Sequence, residues 1–153
     1  PGVSASPQPP GGVGFPAASL TNGDFASGDL SGWNTSGDSF SLFKGSDGRW
    51  RMTSYVLPKG DGVIGKLWQD FTVDSETREL RFSVFGGDAA VKLLRGSDTV
   101  RVTWGRRTNV PETPVRWFLT EYSGETLRLV IDDDKTDSWG YIGTTGIEFV
   151  REP

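Results

Sequence analysis

The side chains best suited to chemistry are concentrated in one acidic and aromatic stretch near the end of the chain. Asp132 and Asp134 belong to a run of acidic residues, and Trp139 and Tyr141 follow within a few positions. Carboxylate oxygens accept hydrogen bonds from hydroxyl groups, and flat aromatic rings pack against apolar C–H faces. The four residues are therefore candidates for binding a hydroxylated ring such as a sugar, with the carboxylates beside Trp139.

The same acidic run does not match a calcium-binding EF-hand loop. Counting from Asp132, the sixth residue is Asp137, where such a loop needs Gly, and the twelfth is Gly143, where it needs Glu. A solvated acidic loop between two strands is the alternative interpretation of this run.

Basic residues occupy the polar positions of several alternating segments, namely Arg81, Lys92, Arg101, Arg116 and Arg128. If these segments share one sheet, its outer face carries a cationic stripe. Such a stripe suits acidic or heavily hydroxylated glycans, because arginine binds these groups through two hydrogen bonds. We favour solvated basic residues paired with nearby acids, and the glycan-binding face is the alternative. The complete set of candidate ligand-binding residues is Asp132, Asp134, Trp139, Tyr141, Asp88, Lys92 and Arg106.

The composition excludes much of enzyme chemistry. The chain of 153 residues contains no His and no Cys, which excludes Ser-His-Asp and Cys-His catalysis, disulfides, and imidazole or thiolate metal sites. Glycoside hydrolysis needs just two carboxylates, but no carboxylate pair stands in a recognisable setting. We therefore expect no catalytic activity. The formal net charge of −4 argues against a nucleic-acid partner.

The first residues differ from the rest of the chain. Residues 1–23 hold no charged side chain, and five of the nine prolines precede Leu20. This composition predicts an extended arm or linker at residues 1–19 and a folded domain at residues 20–153. The arm lacks the basic start and continuous apolar run of a signal peptide, and we expect no membrane insertion because no later window is apolar enough.

Strand-like alternation dominates the remainder of the chain. Apolar and other residues alternate with period two at residues 80–84, 100–104, 115–119 and 127–131. Further strand candidates lie at residues 39–44, 49–56, 63–73, 89–95 and 147–151, separated by turns rich in Gly, Asp and Ser. At most a single helical turn is expected, at residues 120–123. Eight or nine short strands of this spacing predict an all-β fold, an antiparallel β-sandwich of the jelly-roll type.

The six tryptophans divide into two groups by their phase within these segments. Trp33, Trp104 and Trp117 accompany apolar neighbours, so we predict that they pack in the core. The others, Trp50, Trp68 and Trp139, lie out of phase or beside loops, so at least one of them is expected to face solvent.

Two stretches resemble a known fold family. LTNGDFASGDLSGW occupies residues 20–33, and LRLVIDDDKTDSWGYIGTTGIEFV occupies residues 127–150. An opening N-G-x-F followed by a G-D-L-x-G-W loop resembles the galactose-binding-like jelly rolls used as carbohydrate-binding modules. LWQDFTV, FSVFGGDAAVKLL and FLTEYSGETLRL resemble the middle of such domains. The resemblance covers residues 20–150 and implies a non-catalytic sandwich with ligand contacts near the Asp-bearing loop, although many binding roles share this fold.

The resemblance also implies a structural calcium ion between two carboxylates. One would follow the opening N-G-x-F and the other would lie in the closing strand. Here Ala26 follows Phe25, and the sequence Thr-Thr-Gly-Ile leads into the closing strand at residues 144–147. Both usual carboxylates are missing, and hard cations need several oxygen ligands at once. We predict no metal or cofactor, with Asp24 the side chain that could still contribute to a calcium site.

Two functions from different classes follow. The first is a carbohydrate-binding module of a secreted or surface-exposed protein, recognising a glycan or polysaccharide and joined through residues 1–19 to another unit such as a catalytic domain. The second is a structural surface protein, such as a virion decoration or filament subunit, whose arm lies along neighbouring subunits. A linker tolerates truncation whereas an assembly arm does not. We favour the first function, because the resemblance supports it and the arm alone supports the second.

Overall fold

The period-two segments form strands in the computed structural model, which describes residues 17–152. Ten strands are present there: β1 (Asn34–Gly37), β2 (Ser41–Lys44), β3 (Trp50–Thr53), β4 (Gly65–Thr72), β5 (Thr77–Gly86), β6 (Ala90–Arg95), β7 (Asp98–Trp104), β8 (Thr108–Phe118), β9 (Thr126–Asp133) and β10 (Ile142–Arg151). A single 3-10 turn, Thr120–Tyr122, follows β8. None of the described segments forms a helix that could cross a membrane.

The strands are arranged in two antiparallel five-stranded sheets. The first sheet has the order β1-β4-β9-β6-β7 and the second has the order β2-β3-β10-β5-β8. The apolar residues of the alternating segments line the space between the sheets, where Leu67, Leu80, Leu129 and Ile131 are fully buried. The prediction of an all-β antiparallel sandwich is confirmed.

Two of the three tryptophans predicted to be in the core are there. Trp33 is buried and stacks on Phe25 with ring centroids 5.4 Å apart, and its indole N–H donates to the Asn22 carbonyl at 3.0 Å. Trp117 is buried and meets the Phe82 ring edge-on at 5.0 Å. Both rings thus combine apolar burial with preferred aromatic geometry.

The prediction for Trp104 is wrong, because β7 contains a bulge. In the pairing with β6, Leu93 lies opposite Arg101 and the next residue, Leu94, lies opposite Thr99, so Val100 is an extra residue. One extra residue inverts the alternation beyond it. The indole of Trp104 is consequently 51% exposed, while Thr103 faces the core.

Two further differences concern the start of the domain. Strand β1 was not among the predicted strands, because all four of its residues are exposed and show no apolar alternation; its pairing with β4 creates it. Ala18, predicted to belong to the arm, is buried in the core, and its amide donates to Asp74 Oδ1 at 3.1 Å. The packed unit therefore includes at least residue 18, and the rest of the predicted arm, residues 1–16, lies outside the described residues.

Candidate functional site

A groove lined by aromatic side chains opens on the outer face of the second sheet. Its rings belong to strands and loops at one end of the sheet, and the cavity measures about 790 Å³. We call it the aromatic groove and define it by Phe43, Tyr55, Phe85, Trp139 and Tyr141, with Asp61 and Asn109 among its polar lining residues. Phe43 and Tyr55 are 42% and 40% exposed, so apolar ring surface is open to solvent.

A glycine sets the floor of the aromatic groove. Phe85 of β5 lies opposite Gly143 of β10 in the antiparallel ladder. A Cβ atom at position 143 would lie 2.1 Å from the Phe85 ring, so the ring rests directly on the glycine backbone. Phe43 then meets Phe85 edge-on, with ring centroids 6.0 Å apart.

A loop held against the β5–β6 turn forms one wall of the groove. The Trp139 and Tyr141 rings are nearly parallel at 6.1 Å, and Tyr55 meets Tyr141 edge-on at 5.5 Å. Trp139 has a left-handed backbone with φ of 66°. The Asp88 amide donates to the Trp139 carbonyl at 2.8 Å and thereby fixes this loop against the turn. The adjacent Gly87 permits the contact, since a Cβ there would lie 1.9 Å from the same carbonyl oxygen.

Polar groups of the groove are placed to bind hydroxyls. Asp61 Oδ2 accepts the Trp139 amide at 3.3 Å, while Asp61 Oδ1 is buried and has no partner among the described residues. The Tyr141 hydroxyl donates to Asn109 Oδ1, which leaves the amide hydrogens of Asn109 to act as donors. Burial raises the pKa of Tyr141, and the nearby Asp61 carboxylate acts in the same direction.

An ion-pair network continues the groove along the sheet. Arg51 binds Glu112 at 2.8 Å and Asp47 at 3.0 Å, and the Thr145 hydroxyl donates to Glu112 at 2.6 Å. Partial burial opposes ionisation of Glu112, but the hydrogen bonds from Arg51 and Thr145 outweigh it and lower the pKa of Glu112. This part of the surface adds a cavity of about 570 Å³ beside Phe43 and Phe85.

The predicted single cationic stripe is wrong, because the topology divides its residues between two sheets. Strands β5 and β8 carry Arg81 and Arg116 in the second sheet, whereas Lys92, Arg101 and Arg128 belong to the first. Each of the five makes an ion pair with an acidic side chain. The arrangement matches the favoured interpretation of basic residues paired with acids.

Arg81 and Arg116 both bind Glu79 of the second sheet. Arg116 donates to the two Glu79 oxygens at 2.8 and 3.0 Å, and Arg81 donates to them at 3.1 and 3.3 Å. These hydrogen bonds lower the pKa of Glu79 to about 2. Two guanidinium groups thus share one carboxylate at the end of the sheet away from the aromatic rings.

The structure brings part of the predicted site together. Trp139 and Tyr141 line the aromatic groove, and Asp88 contacts the same loop through its backbone. The Asp88 carboxylate itself binds Arg107 at 2.8 Å. These three residues therefore belong to one end of the sandwich.

The other four predicted residues lie elsewhere. Asp134 is exposed and contacts Lys135 at 3.8 Å, and Arg106 is exposed in the β7–β8 turn with a left-handed φ of 62°. Asp132 and Lys92 form an ion pair at 3.0 Å on the outer face of the first sheet. Consequently no carboxylate of the acidic run lines the groove beside Trp139.

The main residues that sequence reasoning missed are Phe43, Tyr55, Phe85, Asp61 and Asn109. Phe85 carried a signal, because it shares the polar phase of β5 with Arg81 and Ser83 and therefore had to point outward. The sequence gives no comparable indication for Asp61 and Asn109, because their role depends on how separate segments of the chain meet in space.

The structure gives Asp24 a local role. Its Oδ1 accepts the amide of Ala26 at 3.0 Å, which closes a short turn on the surface. No group of three or more acidic side chains suited to a metal ion occurs among residues 17–152.

Comparisons with known proteins define the fold but not a family. No protein-family model and no curated protein matches the chain. The solved structure of TmCBM61 in complex with β-1,4-galactotriose superposes with a TM-score of 0.64 at 17% identity, covering 87% of this chain and 97% of that chain. The sandwich thus shares its fold with that carbohydrate-binding module.

Proteins of other classes share this fold. The enzymatically active domain of Bacteriophage CBA120 tailspike protein 4 has a TM-score of 0.56 at 12% identity, covering 99% of this chain and 26% of that chain. A cyclase from Fischerella sp. has a TM-score of 0.54 at 15% identity, covering 92% and 97% of the two chains. Because identities this low establish the fold alone, the function has to be argued from the site.

Proposed function

We propose that this domain is a non-catalytic glycan-binding module of a secreted or surface-exposed protein and that the aromatic groove is its binding surface. The observation that carries the proposal is the meeting of five aromatic rings in one open groove with Asp61 Oδ1, which has no partner among the residues that the structure describes. Sugar rings offer apolar C–H faces to aromatic rings and hydroxyls to polar groups. Phe43 and Tyr55 supply exposed ring surface, and Asp61 and Asn109 supply an acceptor and donors.

The carboxylates of the groove favour binding over hydrolysis. Glycoside hydrolysis needs one carboxyl group that stays protonated as an acid and a second that acts as base or nucleophile. Glu112 is bound to Arg51, and its lowered pKa keeps it ionised. Among the described carboxyl groups, the one whose pKa is raised, to about 6, is Asp133, and this residue does not line the groove. These features support a domain that binds a glycan without cleaving it.

The test combines a glycan array with calorimetry on matched variants. Phe43→Ala and Tyr55→Ala each remove a partly exposed ring, so they should leave the fold intact. We expect each to weaken binding of the glycans that the array identifies by about tenfold or more, because buried aromatic contacts of ligands often contribute about 2 kcal/mol. Trp104→Ala is the control, since it removes an exposed ring from the first sheet.

Two results would contradict the proposal. One is an array on which the folded full chain binds no glycan. The other is glycan binding that Phe43→Ala and Tyr55→Ala leave at wild-type strength, which would place the binding surface elsewhere on the sandwich.

A second candidate function is a domain of a virion surface or filament protein, with residues 1–19 contacting neighbouring subunits. The similarity in fold to the tailspike domain of Bacteriophage CBA120 supports this candidate. Deletion of residues 1–16, which keeps the buried Ala18, tests it, with assembly followed by light scattering. Loss of assembly would favour this function, and unchanged behaviour of the shortened chain would contradict it.

A further inference from the structure

We infer that the sandwich carries a second ligand site, on the outer face of the first sheet, which binds a vicinal diol of a neutral glycan. Strands β4, β9 and β6 lie side by side there. Trp68, Lys66, Asp132 and Lys92 line a cavity of about 320 Å³ on this face. Because the aromatic groove belongs to the second sheet, the two sites lie on opposite sides of the sandwich.

An incompletely satisfied carboxylate is the centre of this site. Asp132 is 7% exposed, and its Oδ2 accepts a hydrogen bond from Lys92 Nζ at 3.0 Å. Its Oδ1 is buried and has no partner among residues 17–152. A buried charged oxygen without a donor is costly, so this position favours a ligand that supplies one.

The neighbouring groups define which ligand fits. Lys66 lies directly opposite Asp132 in the β4–β9 ladder, and Trp68 is the next residue on the same face of β4. A diol can donate one hydroxyl to Asp132 and accept from a lysine ammonium with the adjacent hydroxyl. The ring that bears the diol can then contact Trp68, over whose ring the Arg128 guanidinium lies at 5.8 Å from the centroid. An anion would face the Asp132 carboxylate, and a cation would face two ammonium groups and the Arg128 guanidinium, so a neutral hydroxylated ring is the better match.

Nuclear magnetic resonance of the full chain can follow both sites in one sample. The indole N–H of Trp68 reports on this site, and the indole N–H of Trp139 reports on the aromatic groove. The probes are β-1,4-galactotriose, cellotriose and maltotriose, titrated separately, with inorganic sulfate as a fourth. We expect at least one trisaccharide to shift the Trp68 signal, and sulfate to leave it unchanged.

Matched variants assign the response to Asp132. Asp132→Asn should weaken the Trp68 response by about tenfold or more, because a hydrogen bond to a charged group is lost. Asp134→Asn is the control, since it makes the same change at an exposed carboxylate of the same acidic run that lines neither cavity. If Asp132→Asn fails to fold, Lys66→Gln replaces it, because this exposed side chain lies outside the Lys92–Asp132 pair.

The outcomes separate this inference from the proposed function. A shift of Trp139 with no trisaccharide shift of Trp68 would overturn the second site and leave the groove proposal standing. A shift of Trp68 that Asp132→Asn abolishes, with Trp139 unchanged, would support the second site alone. A sulfate shift of Trp68 without any trisaccharide response would make this an anion site and overturn the diol assignment.

Discussion

Asp133 should make the stability of this domain fall as the pH rises from 3.8 to about 6. Its side chain is 1% exposed at the end of β9, and its Oδ1 accepts the amide of Lys135 at 3.2 Å. Burial raises the pKa of Asp133 from 3.8 to about 6, and the neighbouring Asp134 and Asp132 carboxylates act in the same direction. The folded domain therefore keeps this carboxyl group protonated at pH values where the unfolded chain has released the proton.

The sign and size of the effect follow from this difference in pKa. Below pH 3.8 both states are protonated and Asp133 adds no pH dependence, whereas between 3.8 and about 6 the folded state alone holds the proton. The free energy of unfolding falls with rising pH across this window and levels off above it. A shift of about two units corresponds to a loss of roughly 3 kcal/mol.

The assay is urea unfolding of the wild type and Asp133→Asn between pH 4 and pH 7.5. The amide has nearly the shape of the acid but does not titrate, so the stability of the variant relative to the wild type should rise by roughly 3 kcal/mol over this range. Asp98→Asn is the control, because it removes the same charge from an exposed position at the opposite end of the first sheet. Parallel stability curves for the wild type and Asp133→Asn would refute the reasoning.

Three further predictions concern the packing and charges of the sandwich. Gly143→Ala places a methyl group where the Phe85 ring lies, so we expect the free energy of unfolding in urea to fall by about 1 to 3 kcal/mol and glycan binding in calorimetry to weaken. Unchanged stability and unchanged binding would contradict the placement of Phe85 on the Gly143 backbone. In thermal unfolding, replacing the buried Trp117 with Ala should cost about 3 to 5 kcal/mol of stability, whereas replacing the exposed Trp104 should change it by less than about 0.5 kcal/mol. Similar losses for the two variants would contradict the inverted alternation of β7. The lowered pKa of Glu79 stabilises the fold above pH 4.5, and this contribution is lost as the pH falls toward about 2. Glu79→Gln should therefore reduce stability at pH 6 and make stability depend less on pH between 4.5 and about 2. Acid unfolding of the variant that matches the wild type would contradict this prediction.

The sequence predicted most of the fold because alternation is a local property. Leu80, Phe82 and Val84 point inward in β5 as their period-two spacing requires, and Leu127, Leu129 and Ile131 do so in β9. The prediction failed at Trp104, because the bulge at Val100 arises from the pairing of β7 with β6. The sequence of β7 alternates regularly and does not show where the bulge lies. Strand β1 was not predicted for a related reason. Its residues are all exposed and show no alternation, and they form a strand because they pair with β4.

The candidate site was less predictable than the fold. Trp139 and Tyr141 could be selected because an aromatic pair beside a polar loop is visible in sequence. The placement of Asp132 could not, since alternation gives the side of the sheet that a residue faces but not which of the two sheets holds the strand. The strand order puts β9 in the first sheet and the rings of the groove on the second. Topology therefore separated residues that are close in sequence.

Strand β8 bears on how copies of this domain behave at high concentration. It is an edge strand of 11 residues, with β5 on one side and no strand partner among residues 17–152 on the other. Long open edges invite pairing between molecules. Pro114, opposite Ser83 in the middle of this strand, has no amide hydrogen, so its backbone nitrogen cannot donate to a strand from a neighbouring copy. A ladder growing along this edge would be interrupted at that position, and the edge thereby resists strand-by-strand aggregation.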